Sequence, residues 1–207
     1  MSQAAIDPET FYREWIPAQF NRALDAQAAL GEPGRRVHDG MRAVSGTIRV
    51  DVQGEGGGTF FLNIREGRMS AGESGTHAPF LTLIQDRSAF ERIAREAGDS
   101  AMALLGGLSG LAGEMKLTRA RVEMLAGLEG LVLFEVRGAG GFALRTHFGG
   151  GAVPESPTTT IRVDEAAYRD LRSGALDPQT AFMTQQIAIE GDMRVAMQLA
   201  LAAIAPD

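Results

Sequence analysis

The residues that could do chemistry are few, and none stands in a catalytic or metal-binding spacing. The chain has three histidines, His38, His77 and His147, and none belongs to an HExxH pair or a comparable ligand spacing. Asp39 directly follows His38, but sequence neighbours rarely form a base with its orienting carboxylate, so we interpret the pair as part of a surface loop. No G-x-S-x-G elbow surrounds Ser109. The sequence predicts no catalytic residue, no metal and no cofactor, and we expect no enzyme activity.

Two glycine-rich segments lack the features of a phosphate-binding loop. No Lys-Ser/Thr pair follows Gly54–Gly58, which therefore predicts a flexible hairpin turn. The second segment, Gly106–Gly113, lies on a helical pattern, and Lys116 lacks the hydroxyl neighbour that a phosphate loop requires. We interpret this segment as loosely packed, with the hypothesis that it forms a lid over the first half of the chain.

The composition is that of a globular protein with a negative net charge. Its 207 residues suffice for one large domain or two small ones, and 44% are hydrophobic against 22% charged. The absence of cysteine excludes disulfides and zinc–thiolate sites. A net charge of −6 argues against nucleic-acid partners and against standing adsorption to anionic membranes.

No segment has the pattern of a signal peptide or a membrane span. The N-terminus lacks a basic start and a continuous apolar core. The apolar stretch 102–117 is interrupted by glycines and is shorter than the ~18 residues that a span needs. We expect a cytoplasmic protein without stable membrane insertion.

The first half of the sequence predicts helices followed by strands. Asp7 and Pro8 are typical of a helix start, Pro17 is expected to break that helix, and a second helix should end at Gly31. Asp86 is typical of the cap of a later helix. The alternating or apolar segments that predict strands are Ile48–Val52, Phe60–Ile64 and Phe80–Ile84.

The same order of elements recurs in the second half. DRSAFERI from Asp86 aligns without a gap with DEAAYRDL from Asp164, and RVEMLAGL resembles RVAMQLAL. The strand segments here are Val132–Val136, Phe142–Leu144 and Ile161–Val163. We predict N-terminal helices over residues 1–34, a degenerate repeat over 35–128 and a second repeat over 129–207.

The last 35 residues are the most specific part of the chain. Asp177 and Pro178 predict a short helix, the segment Ile187–Ile189 alternates as a strand would, and Gly191 turns the chain before the Asp192 cap. The closing helix is predicted to present one apolar seam made of Met193, Ala196, Met197, Ala200, Leu201 and Ile204.

These motifs give the chain its family resemblance. The residues that carry it are Gly174, Leu176, Pro178, Ala181, Phe182, Met183, Ile187, Ile189, Gly191, Asp192, Met193, Val195, Ala196, Met197 and Leu199. In these residues the chain resembles the C-terminal half of the sterol carrier protein 2 lipid-transfer family, closely over residues 158–201 and more loosely from Leu131. The first half matches only weakly, because it lacks the proline and Gly-Asp positions.

The resemblance implies an α+β fold and a lipid ligand. Each of two repeats would form a mainly antiparallel sheet covered by helices, with an apolar tunnel between the two layers. Family members bind acyl chains, acyl-CoA esters, sterols or similar lipids without changing them chemically. The residues expected to bind lipid here are Phe182, Met183, Ile187, Ile189, Met193, Ala196, Met197, Leu201, Phe134 and Leu144.

The closing helix suits this task, although its composition is also that of an ordinary core helix. Methionine adapts to ligands of different shape, and alanine limits how far the helix fills the space above the sheet. On this hypothesis Met197→Trp should weaken acyl-chain binding and leave the fold intact.

Three functions remain open from the sequence. Binding or transfer of a hydrophobic small molecule is preferred. The alternative is a structural module that has lost lipid binding and forms a homodimer or takes a partner's apolar helix. An enzyme of unknown reaction is the third. We further expect the two repeats to pack as an intramolecular pseudo-dimer, with one continuous sheet as the other arrangement.

Overall fold

The strands that the sequence predicted form one mixed sheet. The computed structural model describes residues 7–96 and 116–204, and within them eight strands lie in the order β3-β2-β1-β4-β6-β5-β7-β8. Neighbours are antiparallel except for the parallel pairs β1–β4 and β5–β7. The strands are β1 (Gly46–Val52), β2 (Gly58–Arg65), β3 (Arg68–Gly72), β4 (Pro79–Gln85), β5 (Gly130–Arg137), β6 (Phe142–Phe148), β7 (Thr159–Asp164) and β8 (Ile187–Gly191). The expected α+β class with a mainly antiparallel sheet is confirmed.

Helices cover one face of this sheet. The N-terminal helices pack against β2 and β3, the helices of the middle of the chain against β4 and β6, and the last helices against β5, β7 and β8. The helices are α1 (Pro8–Thr10), a π-helical turn (Phe11–Trp15), α2 (Ile16–Ala29), α3 (Glu32–Arg42), α4 (Arg87–Glu96), α5 (Arg119–Ala126), α6 (Glu165–Ser173), α7 (Pro178–Met183) and α8 (Met193–Ile204).

The expected break at Pro17 is wrong. Proline lacks the N–H of a regular α-helical bond, and a wider π turn directly precedes it, with the Ile16 N–H bonded to the Phe11 carbonyl. The chain therefore stays helical from Pro8 to Ala29.

The two halves share the sheet, so the expected pseudo-dimer is also wrong. β4 of the first half pairs antiparallel with β6 of the second, from Leu81 opposite Phe148 to Gln85 opposite Leu144. Each of these strands would otherwise present an unpaired backbone edge, and joining them satisfies both sets of hydrogen-bonding groups. The predicted boundary at residues 34 and 35 falls inside α3.

The order of elements is similar in the two halves. In each half a hairpin is followed by a strand parallel to its first strand, and a helix begins directly after that strand. The aligned segments that begin at Asp86 and Asp164 occupy this equivalent strand-to-helix position. The halves differ between residues 149 and 158, where no strand corresponds to β3. The Gly106–Gly113 segment lies outside the described residues.

The alternation of side chains gives the sheet two different faces. Ile48 lies opposite Leu62 and Leu81, and these side chains are buried on the helix-covered face. Phe134 lies opposite Leu144 and Ile161 on the same face of the second half. The other face carries the charged residues of the strands, including Arg49, Asp51, Glu135, Arg145 and Arg162.

Candidate functional site

The closing helix α8 covers the sheet of the second half. It packs against β7 and β8, and a short bend at Gly191, with φ +90°, leads into it. Asp192 accepts a hydrogen bond from the Arg194 N–H at 2.9 Å, and the pKa of Asp192 is lowered by the Arg194 side chain and N–H. The side chains that α8 buries are Val195, Ala196, Leu199 and Ala202.

The apolar seam predicted for this helix is therefore wrong in part. Ala196 is buried as expected, but Ala200 is exposed, and Met193, Met197 and Leu201 are 41%, 60% and 57% exposed. All residues of α8 except Arg194 and Gln198 are apolar, so the periodicity alone does not fix which side of the helix faces the sheet. We call Met193, Met197 and Leu201 the outer stripe.

The short helix α7 has the predicted cap and an exposed apolar end. Asp177 accepts a hydrogen bond from the Thr180 N–H at 2.9 Å, and bonds from Thr180 lower the pKa of the Asp177 carboxyl. Ala181 is fully buried, whereas Phe182 is 46% and Met183 74% exposed. The helix packs against α6 and β8.

The floor beneath these helices is apolar and partly aromatic. Phe134, Leu144 and Ile187 are buried, and the half-buried Ile189 packs against the core. The rings of Phe134, Phe142 and Tyr168 lie with centroids 5.5–6.4 Å apart. The floor and the buried side of α8 thus form a continuous apolar interior.

The sequence of this segment is similar to a known family. Residues 115–203, from α5 to the penultimate residue of α8, match the SCP-2 sterol transfer family. No curated protein matches the chain in sequence.

Several solved structures are similar to parts of the chain. The sterol carrier protein 2 like 2 of Aedes aegypti is 17% identical, with a TM-score of 0.33 over 55% of this chain and 95% of its own. Sterol carrier protein 2 of Yarrowia lipolytica, in its apo form, is 14% identical, with a TM-score of 0.32 over 50% of this chain and 91% of its own. A palmitated form of the Aedes protein is 18% identical, with a TM-score of 0.29 over 35% and 70% of the two chains. At these TM-scores the likenesses add nothing to the family match.

We call the matched residues 115–203 the SCP-2 segment. The ten residues expected to bind lipid fall into two groups within it. One group is turned inward, toward the helix-covered side of the sheet, and the other lies on the solvent side of α7 and α8. The inner group is Phe134, Leu144, Ile187, Ile189 and Ala196, and the outer group is Phe182, Met183, Met193, Met197 and Leu201. Their role in lipid binding remains a prediction, as does the tunnel.

The interior of the first half, outside the SCP-2 segment, is occupied by aromatic side chains. Phe11 and Tyr12 enter from the N-terminal helix and contact Phe60 and Phe90, with ring centroids 5.0–5.9 Å apart within this cluster. The Tyr12 hydroxyl accepts a hydrogen bond from the Gln85 side-chain amide, and burial raises the pKa of Tyr12 above its usual value. Sequence analysis did not identify this cluster.

In the SCP-2 segment, ion pairs link neighbouring strands on the face of the sheet opposite the helices. The Arg162 guanidinium bonds Glu135 at 2.7 Å and also bonds Glu190 on β8. This contact lowers the pKa of Glu190. His147 lies on this face and is buried.

The His38–Asp39 pair lies in a helix and not in the surface loop that the sequence predicted. α3 contains both residues, and the His38 Nδ1 atom is 3.5 Å from an Asp39 carboxylate oxygen. With α2, this helix borders a polar surface groove of about 360 Å³ that also involves Glu32 and Arg35. No cluster of metal-binding side chains occurs in residues 7–96 and 116–204. No helix there is long and apolar enough to cross a membrane.

Proposed function

We propose that the second half of the chain binds a hydrophobic ligand between α8 and the sheet and transfers it without changing it chemically. The ligand class is a fatty acyl chain, an acyl-CoA ester, or a sterol-like or isoprenoid lipid. The single observation that carries the proposal is the match of residues 115–203 to the SCP-2 sterol transfer family.

The chemistry of the interior supports this proposal. The inward side of α8 presents only apolar side chains, Val195, Ala196, Leu199 and Ala202, toward the apolar floor. At about 0.8 kcal/mol per buried CH2, a chain of about 16 carbons gains roughly 13 kcal/mol. An ordering cost of ~4–15 kcal/mol is subtracted from this gain, and at the lower end of that range micromolar binding needs no specific polar contact.

The two groups of candidate residues suggest different roles. The inner group would contact the bound ligand, with Ala196 as the small side chain above the floor. Within the outer group, the outer stripe of α8 would meet the lipid surface from which the ligand comes, because exposed methionines adapt to many apolar partners. Met197→Trp is therefore no test of the interior, since this side chain points to solvent.

We assign the ligand to the second half alone. In the first half, the aromatic cluster of Phe11, Tyr12, Phe60 and Phe90 occupies the corresponding interior. This filling favours the alternative function, a structural role, for the first half. Its similar order of elements supports the proposal that the chain arose from two repeats, one of which lost its ligand. A cytoplasmic location remains our expectation.

Two measurements test the proposed function. Native mass spectrometry of the purified protein should detect a co-purifying lipid, and a fluorescent fatty acid should bind with micromolar or lower Kd.

Ala196→Phe should weaken that binding at least 10-fold by filling the space under α8. Ala200→Phe, four residues along on the exposed side, is the matched control and should leave Kd unchanged. Circular dichroism verifies that both variants fold. Equal affinities of the two variants, or no binding by the parent chain, would refute the assignment.

A further inference from the structure

The two edges of the eight-stranded sheet differ. At the β3 edge, the Asn21 side-chain amide bonds the backbone of Met69 twice: it accepts from the N–H at 2.9 Å and donates to the carbonyl oxygen at 3.0 Å. Arg68 on the same strand also bonds Asp25 of α2. These contacts occupy the β3 edge with a helix, which is a common protection against edge-to-edge association.

The β8 edge has no neighbouring strand among residues 7–96 and 116–204. Within this part of the chain β8 pairs with β7 only, so its other side is an edge of the sheet. Ala188, Glu190 and Gly191 are exposed, and Ile189 is only half-buried. A row of unpaired backbone groups on an exposed strand is a template for another extended strand.

We propose that β8 binds β8 of a second copy of this chain in an antiparallel, two-fold symmetric pair centred on Ile189. In this register Ile189 lies opposite the partner subunit's Ile189, and Ala188 lies opposite the partner subunit's Glu190. No like charges are opposite each other. The contact between Glu190 and Arg162 within each chain further neutralises the edge. The strand can therefore pair with its own copy without placing like charges directly opposite each other.

The helix beside this edge adds apolar surface to the backbone contacts. α7 packs against β8, and its last two residues, Phe182 and Met183, are among the exposed large hydrophobic side chains. Pairing of the edges brings this helix end toward the partner. An isologous interface of this kind closes at two copies, because each β8 edge is used once. This inference does not depend on the proposed lipid function.

Sedimentation equilibrium on the full chain, over roughly 1–500 µM and at low salt, tests the proposal. The parent chain should dimerise. Ala188→Lys places a cation opposite the partner subunit's Glu190, twice by symmetry, and should lower the dimer Kd about 5-fold. Ala188→Glu is the matched variant and should raise it about 5-fold.

The two variants distinguish the interface from effects on the single chain. Ala188 pairs with Arg162 across β7 and β8, so a glutamate there favours the monomer's own fold and a lysine disfavours it. The lysine variant should therefore have the tighter dimer and the less stable monomer, and the glutamate variant the weaker dimer and the more stable monomer. A chain that stays monomeric over the whole concentration range overturns the proposal. So does a dimer whose Kd is the same in both variants. Binding to neutral phosphatidylcholine vesicles without self-association also overturns it and assigns the apolar residues of α7 to a lipid surface.

Discussion

The Arg121 guanidinium donates a hydrogen bond from Nε to the backbone carbonyl oxygen of Ala202, at a distance of 2.9 Å. Ala202 lies in the last turn of α8, where carbonyl groups have no partner within the helix. Arg121 is buried on α5, the helix that precedes the second half. The contact therefore fixes the C-terminal end of the closing helix to a distant part of the chain, and the sequence alone gave no indication of it.

Loss of this contact should loosen α8. Arg121→Met leaves the Ala202 carbonyl without its donor, and we expect the free energy of unfolding in urea to fall by about 1–3 kcal/mol. Amide exchange in α8 should rise. Arg119→Met is the matched control, because Arg119 lies two residues away and pairs with Glu123 at the surface, so its loss should leave the free energy of unfolding nearly unchanged. Equal effects of the two changes would contradict a specific role for Arg121.

The two hydrogen bonds between the Asn21 side chain and the Met69 backbone should contribute a comparable free energy to the stability of the first half. Asn21→Ala removes both hydrogen bonds and is expected to lower the free energy of unfolding by about 1–3 kcal/mol. Asn21→Asp still accepts from the Met69 N–H but faces the Met69 carbonyl with a second acceptor, so it should not restore stability. Urea denaturation of both variants, with the exposed Arg22→Ala as control, measures the difference. A fully stable Asn21→Asp protein would argue against the two-bond geometry.

Stability should fall in alkali because of Tyr12. Burial raises the pKa of this tyrosine in the folded chain above the value of 10.0 expected in the unfolded chain. Below pH 10 both states keep the proton, and the contribution is fully present. Above it only the unfolded state loses the proton, so stability falls by up to about 1.4 kcal/mol per pH unit until the folded pKa is reached.

Tyr12→Phe tests this pH dependence. The variant should be less stable at neutral pH, since the Gln85 amide loses its acceptor, but its stability should fall less steeply than that of the parent above pH 10. Thermal unfolding from pH 8 to pH 11.5 gives the two slopes. Identical slopes would mean that Tyr12 titrates normally in the folded chain.

The sequence predicted the strands well and the placement of some helix faces poorly. Strand β1 alternates apolar and polar residues, because one face of the sheet is covered by helices and the other carries charges, and this contrast shows which side chains face the helices. α8 offers no such contrast, and the prediction left out Val195 and Leu199, which are buried. α3 was taken as a loop because its sequence, EPGRRVHDGMR, has only Val37 and Met41 as large apolar side chains.

Features that depend on distant pairings could not be predicted from local patterns. The joining of β4 and β6 brings together residues that are 59 to 67 positions apart, and either strand alone also fits the edge of a separate sheet. The same holds for the hydrogen bond from Arg121 to Ala202, which is 81 residues away. The family motifs, in contrast, depend on short spacings around Pro178 and Gly191, which is why they were recognisable in the sequence.

The outer stripe of α8 should govern how fast a ligand enters, if the proposed function is correct. Met193, Met197 and Leu201 lie four residues apart on one exposed side of the helix, and the triple change to glutamine removes their apolar surface. Uptake of a fluorescent fatty acid from phosphatidylcholine vesicles should then slow by roughly 100-fold, since each of the three partly inserted side chains contributes on the order of 1 kcal/mol to lipid contact. The Kd for the same fatty acid added without vesicles should stay unchanged, because the inner group is intact.

Leu30→Gln, at another exposed apolar residue in the first half, is the control and should affect neither quantity. A triple variant with unchanged uptake would show that these side chains do not meet the lipid surface. One with a weakened Kd would place them in the binding site itself.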